Sequence, residues 1–422
     1  NAFLNAPVDT DVYMYQPEGF DCGDGVCKLK KGLYGLKQAS KLWYDQMDQF
    51  LITRLGATRH PLDQCIYSRQ LGQNFLIIVI YVDDVLVCSN SQSVIDTTFG
   101  TLHQQFKIKR MGPVSEYLGM QCTWINNGKS IHISQPNTIA RMLERFDLME
   151  CRPTKSPYNP KVTIVPNKSK QTCDTTLYRS AIGALLWISR CSRPDISFII
   201  GLLSQHQSNP SFEHWGAVRH VMRYLAGTPT QGIILNPDGD HNKYVHVYTD
   251  SSFADIQIGL HSTSGCLIEI ASGPIAWFSR KQSLHAMSSA EAEYIAAAEA
   301  VKEGLWIMNF ISALRSKMPI QIRKEFLLLA DSSSCLAMIK RGFPDHGRTR
   351  HIELQTHLIL DHYRSGRFIT EWVGGTQNVA DLFTKSIQSI RHFNYLKESV
   401  VLDVRGSNGY QQTSTSSATG VW

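Results

Sequence analysis

Two groups of carboxylates in this chain of 422 residues are of a kind that does chemistry. Asp83 and Asp84 are adjacent and lie between two apolar runs, Phe75 to Tyr81 and Val85 to Val87. One account is an Asx-type turn at the tip of a hairpin, where aspartate is common. Adjacent carboxylates held at the end of buried strands repel each other, however, and a cation relieves that repulsion. A magnesium site is the preferred reading. The second group is dispersed: Asp250 closes a strand pattern, Glu291 opens a long helical pattern, Asp331 closes another strand and Asp381 lies on the last helix. Each has a structural alternative. Asp250 could begin a turn, Asp331 could cap the helix starting at Ser332, Glu291 could close a capping box with Ser288, and Asp381 could face solvent.

Helical spacing bears on Glu291. It shares a stripe with Tyr294, Ala298, Val301, Leu305 and Met308, the larger apolar face, which is expected to pack on the sheet and point this carboxylate inward. Glu293, on the side of Ala296, Ala297 and Ala300, is the weaker candidate. Ligands of α/β sheets sit at the carboxyl ends of strands, where Asp250 and Asp331 are placed. Four carboxylates meeting there require metal ions.

Tyr81-Val82-Asp83-Asp84 resembles the YxDD box of reverse transcriptases, and its neighbourhood narrows the match. Ala2-Phe3-Leu4-Asn5, Val12-Tyr13-Met14, Gln16-Pro17-Glu18-Gly19-Phe20, the stretch from Lys30 through Gly35-Leu36-Lys37-Gln38 to Ala39, and Trp43-Tyr44 follow in the order of the copia-type enzyme. Asp63, Phe106 and Leu118-Gly119-Met120 continue it. The chain thus resembles the polyprotein of copia-type LTR retrotransposons. That resemblance implies a palm in which the hairpin aspartate joins an earlier one to hold two Mg2+ ions, about 4 Å apart, for attack of a primer 3′ hydroxyl on a nucleotide. Asp83 would be the chief ligand and Asp84 its companion. Gly35, Lys37, Gln38 and Tyr81 would lie against template and nucleotide, and Phe3 against the sugar, where a ring selects deoxynucleotides. Without the resemblance, Phe3 reads as a core aromatic. The family's earlier aspartate lies upstream of Asn1, so a fragment is expected, without that ligand or the fingers and unable to extend a primer. Ser40 stands where the family usually has proline.

The later words resemble the copia-type ribonuclease H: Tyr248-Thr249-Asp250, Ser262-Thr263-Ser264-Gly265, Pro274-Ile275-Ala276-Trp277, Ser288 to Tyr294, Arg348-Thr349-Arg350-His351-Ile352 and Ala380-Asp381-Leu382-Phe383-Thr384-Lys385. By position, Asp250, Glu291, Asp331 and Asp381 would be the metal ligands, again with two Mg2+ ions. Many ribonucleases H carry a histidine in the loop before the last aspartate. Val373 to Asn378 has none, and His351 belongs to another helix.

The elements needed to position these residues are legible as pattern. Helical spacing runs from Ser40 to Arg54, and a strand, a turn at Asp83-Asp84 and a second strand run from Asn74 to Cys88. Arg152 to Lys170 breaks the periodicity and reads as a linker, and residues 175 to 230 read as helical. From Tyr244 the order βββαβααβα is expected, opening with an antiparallel meander. The organisation predicted is α/β and multidomain: residues 1–155 a partial polymerase palm and thumb, 156–240 a linker and helical connection, 241–388 a ribonuclease H-like domain, and 389–422 a C-terminal segment whose Ser/Thr/Gly-rich tail from Arg405 is disordered.

Apolar residues at 43% and charged residues at 18% suffice for real cores. The longest apolar runs, Phe75 to Tyr81 and Ile196 to Leu203, fall short of the roughly 18 residues that span a bilayer. The ten cysteines include no C-x2-C pair, and Cys22 and Cys27 are the nearest approach, so core thiols are expected rather than zinc or disulfides. The net charge of +6 suits a polyanionic partner, with basic clusters at Lys28, Lys30, Lys31, Lys37 and Lys41, at Lys107, Lys109 and Arg110, and at Lys340, Arg341, Arg348 and Arg350. By resemblance the partners would be an RNA template, a DNA primer, an RNA/DNA hybrid and dNTPs, with no membrane. The location would be a cytoplasmic virus-like particle, with nuclear import afterwards. Rival readings are a decayed copy that polymerises nothing and a domesticated nucleic-acid-binding protein, and the complete carboxylate set argues against the latter.

Overall fold

The computed structural model describes residues 2–20, 23, 25–159, 162–168, 171–237, 244–255, 261–342 and 353–404. The expectations for Cys22, Arg348, Arg350, His351 and the tail from Arg405 lie outside them. The described residues fall into two units, one comprising the chain up to Val114 with Phe310–Ile320, the other Ser115–Asn309 with the residues from Gln321 onward. The sequence reading puts its boundary at residue 155, so the division differs. The reason is long-range pairing that local pattern does not show, set out below.

The first unit opens with a 3-10 turn, Phe3–Asn5, and an antiparallel ribbon of β1 (Tyr13–Tyr15) and β2 (Val26–Lys28). Helix α1 (Ala39–Thr53) follows, then a sheet of β3 (Thr58–Arg59), β4 (Ile66–Leu71), β5 (Asn74–Tyr81) and β6 (Asp84–Ser89) in that order, then α2 (Gln92–Phe106). Trp43, Met47, Phe50 and Leu51 recur at helical spacing on α1 and share a core with Leu76, Ile78 and Ile80, the alternate residues of β5. Phe106 of α2 meets Trp43 and Phe50 edge-on, with ring centroids 5.3 and 5.0 Å apart. Tyr81 pairs with Asp84, so the hairpin loop is Val82-Asp83 and not the expected Asp83-Asp84. Val82 sits at φ 51°, costly for a β-branched residue. Trp43 Nε1 donates to the Val82 carbonyl at 2.7 Å and helps to hold it there.

In the second unit β7 (Glu116–Tyr117), β8 (Met120–Ile125) and β9 (Ser130–Ser134) precede four helices: α3 (Pro136–Arg145), α4 (Thr175–Cys191), α5 (Ser197–Ser204) and α6 (Phe212–Ala226). Strand β10 (Gly232–Leu235) then pairs back onto β9. Ile139, Met142 and Leu143 of α3 share one core with Tyr178, Ile182 and Leu185 of α4 and Val218 and Leu225 of α6. Those two facts carry residues 115–155 into this unit. Within it the Arg193 guanidinium grips Asp195 through two bonds of 2.9 and 2.8 Å, and Tyr224 Oη donates to the same carboxylate at 2.6 Å, all wholly buried. Burial opposes the charge on Asp195, yet Arg193 holds its carboxyl below the ordinary range.

The chain continues as β11 (His246–Asp255), β12 (His261–Ile270), β13 (Gly273–Lys281), α7 (Ser289–Arg315), β14 (Phe326–Ala330), α8 (Ser333–Arg341), α9 (Glu353–Arg364) and β15 (Phe368–Trp372). A 3-10 turn, Val379–Phe383, and α10 (Ile390–Glu398) follow. The five strands run β13-β12-β11-β14-β15, with β11, β12 and β13 antiparallel and β14 and β15 parallel to β11. The expected element order is present with two differences. Asp250 lies within β11 and not at its end, and Asp381 lies on the 3-10 turn and not on a full helix.

Candidate metal centre

The face of α7 that meets the sheet decides which glutamate enters the site. A Cβ added at Gly304 would lie 3.0 Å from the Phe326 ring of β14 and 3.2 Å from Val247 of β11, so the backbone approaches the sheet along Gly304, Ala300 and Ala297. Glu293 continues that face at helical spacing, and small residues are what permit the approach. The stripe of larger side chains, the face expected to meet the sheet, points to Glu291 instead. The structure corrects this: Glu291 Oε2 accepts from Met287 N at 2.7 Å and Ser288 Oγ accepts from Glu291 N at 3.2 Å, a capping arrangement. The stripe misleads because the first turns of α7 are buried nearly all round, Tyr294 through Ala298 included. The discriminating signal is the run of Ala297, Ala300 and Gly304 in register with Glu293.

Asp250, Glu293 and Asp331 each present an oxygen within 4.8 Å of the others. Asp250 comes from β11, Glu293 from α7, and Asp331 follows β14, to which β11 is paired. Asp331 leaves capping of α8 to Ser332, whose Oγ accepts from Cys335 N at 3.2 Å, and Trp372 Nε1 donates to the Asp331 carbonyl at 2.9 Å. Asp381 reaches the same place because the 3-10 turn docks on β12. Gly265, the partner of Asp250 across that pair, allows it: a Cβ there would stand 2.5 Å from Thr384 Cγ2 and 2.9 Å from the Ala380 carbonyl. Asn378 Nδ2 donates to the Thr249 carbonyl at 3.0 Å, and the Thr384 hydroxyl donates to Asp250. Lys385 Nζ lies 2.8 Å from Asp381 and 3.5 Å from Asp250. Gly265, Asn378, Thr384 and Lys385 carry no role in the sequence reading, since only the docked turn gives them one.

Crowding is visible in the protonation equilibria. Burial raises Asp250 to about 7, Lys385 opposing and Asp381 adding to the rise. Burial raises Glu293 to about 8, reinforced by Asp250 and Asp331. Asp381 is raised as well, by burial against the pull of Lys385. Glu293 Oε2 is buried without a hydrogen-bond partner. An all-oxygen carboxylate set of this kind fits a hard divalent cation such as Mg2+ or Mn2+.

The hairpin is different in kind. Asp83 and Asp84 are both exposed, and among the described residues no third metal-binding side chain completes a group with them. Tyr34 Oη donates to Asp83 Oδ2 at 2.8 Å. Slight burial would raise Asp83, but the Tyr34 hydrogen bond together with further hydrogen-bonding and charge interactions outweighs it, so its carboxyl falls below the ordinary range. The Phe3 ring rests on Tyr34 with centroids 4.5 Å apart, so Phe3, Tyr34 and Asp83 form one contiguous line. Tyr81 is 57% exposed beside them. Gly35 adopts φ 103°, which glycine alone tolerates readily, and Lys37 is exposed. Gln38 bonds Thr10 at 3.4 Å. Of the basic residues, Lys30, Lys31, Lys37 and Lys41 are exposed, whereas Lys28 pairs with Asp11 and Arg110 with Asp96, each at 2.6 Å.

The reverse transcriptase (RNA-dependent DNA polymerase) family matches residues 1–160. A retrovirus-related Pol polyprotein from transposon TNT 1-94 of Nicotiana tabacum is 33% identical over 400 residues, 92% of this chain and 29% of its own length. One from transposon RE2 of Arabidopsis thaliana is 31% identical over 414 residues, 97% of this chain and 28% of its own. The chain therefore spans less than a third of those polyproteins. A transposon Ty5-1 protein of Saccharomyces cerevisiae is 33% identical over 306 residues, 72% of this chain and 98% of its own length. The solved N-terminal ribonuclease H domain of a Mycobacterium tuberculosis protein aligns at 16% identity over 37% of this chain and 99% of that one, with a TM-score of 0.25, from which nothing follows here. Similarity at this level, along almost the whole chain and almost the whole of the yeast relative, places the protein in the family of retrotransposon Pol polyproteins.

Proposed function

We propose that this chain is the reverse transcriptase and ribonuclease H portion of a copia-type retrotransposon polyprotein, copying RNA into DNA and degrading the RNA strand of RNA/DNA hybrids. The convergence of Asp250, Glu293, Asp331 and Asp381 carries the ribonuclease H half. These four would hold divalent cations, magnesium in the cell, which supply a Lewis acid and a water of lowered pKa when bound. Thr384 fixes the Asp250 carboxylate, the Asn378 bond ties the turn bearing Asp381 to β11, and Trp372 fixes the backbone of Asp331. Together they hold the acceptor oxygens in place before any ligand arrives, so little reorganisation is needed on binding. The substrates are RNA template, DNA primer, dNTPs and hybrid, with exposed lysines of the first unit meeting phosphate. Residues 1–114 supply part of a palm, residues 115–155 a thumb segment that packs with the helical connection of residues 156–240, and residues 241–388 the nuclease. The setting is a cytoplasmic particle.

The direct test is hydrolysis of a labelled RNA/DNA hybrid by the whole chain in Mg2+, with single-stranded RNA as control. Asp331→Asn preserves shape, removes one ligand charge and lowers the rate by orders of magnitude, about 10^3-fold or more. Cleavage by that variant at the wild-type rate, or cleavage indifferent to EDTA, overturns the nuclease assignment. The polymerase half is tested by primer extension on an RNA template with a chain lengthened upstream, where Asp83→Asn abolishes synthesis.

A further inference from the structure

Lys385 places an ammonium group against two carboxylates of the cluster. Its Nζ stands 2.8 Å from Asp381 and 3.5 Å from Asp250, while its side chain stays 45% exposed. Asp250 and Asp381 pair with it, and Asp250 also gathers with Glu293 and Asp331. Thr384, its chain neighbour, donates to the same Asp250 oxygen, so the turn from Val379 to Phe383 and the residues after it deliver both groups together.

We propose that Lys385 is a resident cation of the nuclease centre, holding Asp250 and Asp381 together before a divalent cation binds and competing with that cation for the same oxygens. The inference rests on the reading of the cluster as a metal centre. A single positive charge lowers the repulsion among several carboxylates, so the cluster assembles with the fold, independently of metal. The same charge repels an incoming divalent ion, which must displace the ammonium toward solvent, and the half-exposed side chain has room to leave. Lys385 is thus a positioning residue that sets the metal concentration at which the centre fills.

The experiment measures Mn2+ binding by the whole chain carrying Asp83→Asn and Asp84→Asn, which removes the hairpin carboxylates, using the electron paramagnetic resonance of free Mn2+. In that background Lys385→Met tightens binding on the order of tenfold, because a like charge next to the ligands is gone. Lys385→Arg, which keeps the charge, stays within about threefold of the parent. In EDTA, Lys385→Met lowers the unfolding temperature, and saturating Mn2+ restores it to that of the parent. If Lys385→Met binds Mn2+ no more tightly than Lys385→Arg, the competition is refuted. Should Lys385→Met not fold, Lys385→Gln against Lys385→Arg makes the same comparison. Asp331→Asn separates the two ideas: unchanged Mn2+ binding there refutes the metal centre itself, whereas weakened binding there with no effect of Lys385→Met refutes only the role of Lys385.

Discussion

The chain carries two carboxylate sites built in opposite ways. At the hairpin, Asp83 and Asp84 face solvent, one phenol donates to Asp83, and its carboxyl titrates low. In the cluster, Asp250 is buried and Glu293 half-buried between the sheet and α7, both face further carboxylates, and they titrate near or above neutrality. Residue type is the same, so environment sets the difference: water screens the first pair, and the protein interior leaves the second group repelling. Adjacent acids in a sequence therefore need not repel strongly, whereas dispersed acids that a fold drives together and buries do. The cluster stores electrostatic strain that a cation relieves, and the hairpin stores almost none.

The largest effect that could break this contrast concerns the two glutamates of α7. Glu293→Gln should lower hybrid cleavage by orders of magnitude, while Glu291→Gln should stay within about threefold in rate and cost about 1 kcal/mol of stability through the helix start. The opposite ranking in a cleavage assay would return Glu291 to the centre. Next is Gly265→Ala, whose methyl would collide with Thr384 and the Ala380 carbonyl. It should push the 3-10 turn off β12, cost about 1–3 kcal/mol and reduce cleavage at least about tenfold. Gly183→Ala, in α4 with open space around it, serves as control and should gain up to about 1 kcal/mol in urea denaturation.

Metal linkage sharpens the comparison further. Mg2+ at about 100 times its dissociation constant should stabilise the wild-type chain by about 2.7 kcal/mol. In calorimetry that shift should survive Asp83→Asn and disappear with Asp331→Asn. The pH dependence in EDTA has opposite signs at the two sites. Asp250 and Glu293 titrate higher folded than unfolded, so they favour folding most below about pH 4, and that contribution is lost as the pH rises to about 7 and about 8. Asp83 titrates lower when folded, so its small contribution is present above the unfolded value and lost as pH falls. Metal-free protein should accordingly gain melting temperature between pH 8 and 6, and Asp250→Asn with Glu293→Gln should flatten the rise. The smallest effect is that of Tyr34→Phe, which should change stability by less than about 0.5 kcal/mol. By NMR titration it should let Asp83 return toward the ordinary carboxylate range.

Pattern in the sequence determined a good deal. The alternation of β5, the helical spacing of α1 and the order of elements after Tyr244 each follow from local apolar periodicity, which needs no partner to be read. That Asp250, Asp331 and Asp381 come near one another was legible because each stands beside a recognisable strand or turn. Other features depended on what lies across space. The pairing of β9 with β10 and the packing of α3 on α4 and α6 decided where the chain divides, through contacts some hundred residues apart for the strands. Glu293 displaced Glu291 because a close helix–sheet approach is made by the smallest side chains, not the largest, and a helix start buried nearly all round loses the amphipathic signal that would orient it. Lys385 and Gly265 acquired their roles only when the turn from Val379 docked on β12. Sequence specifies which groups carry charge, but the repulsion among them depends on distance and desolvation, which exist only in the folded chain.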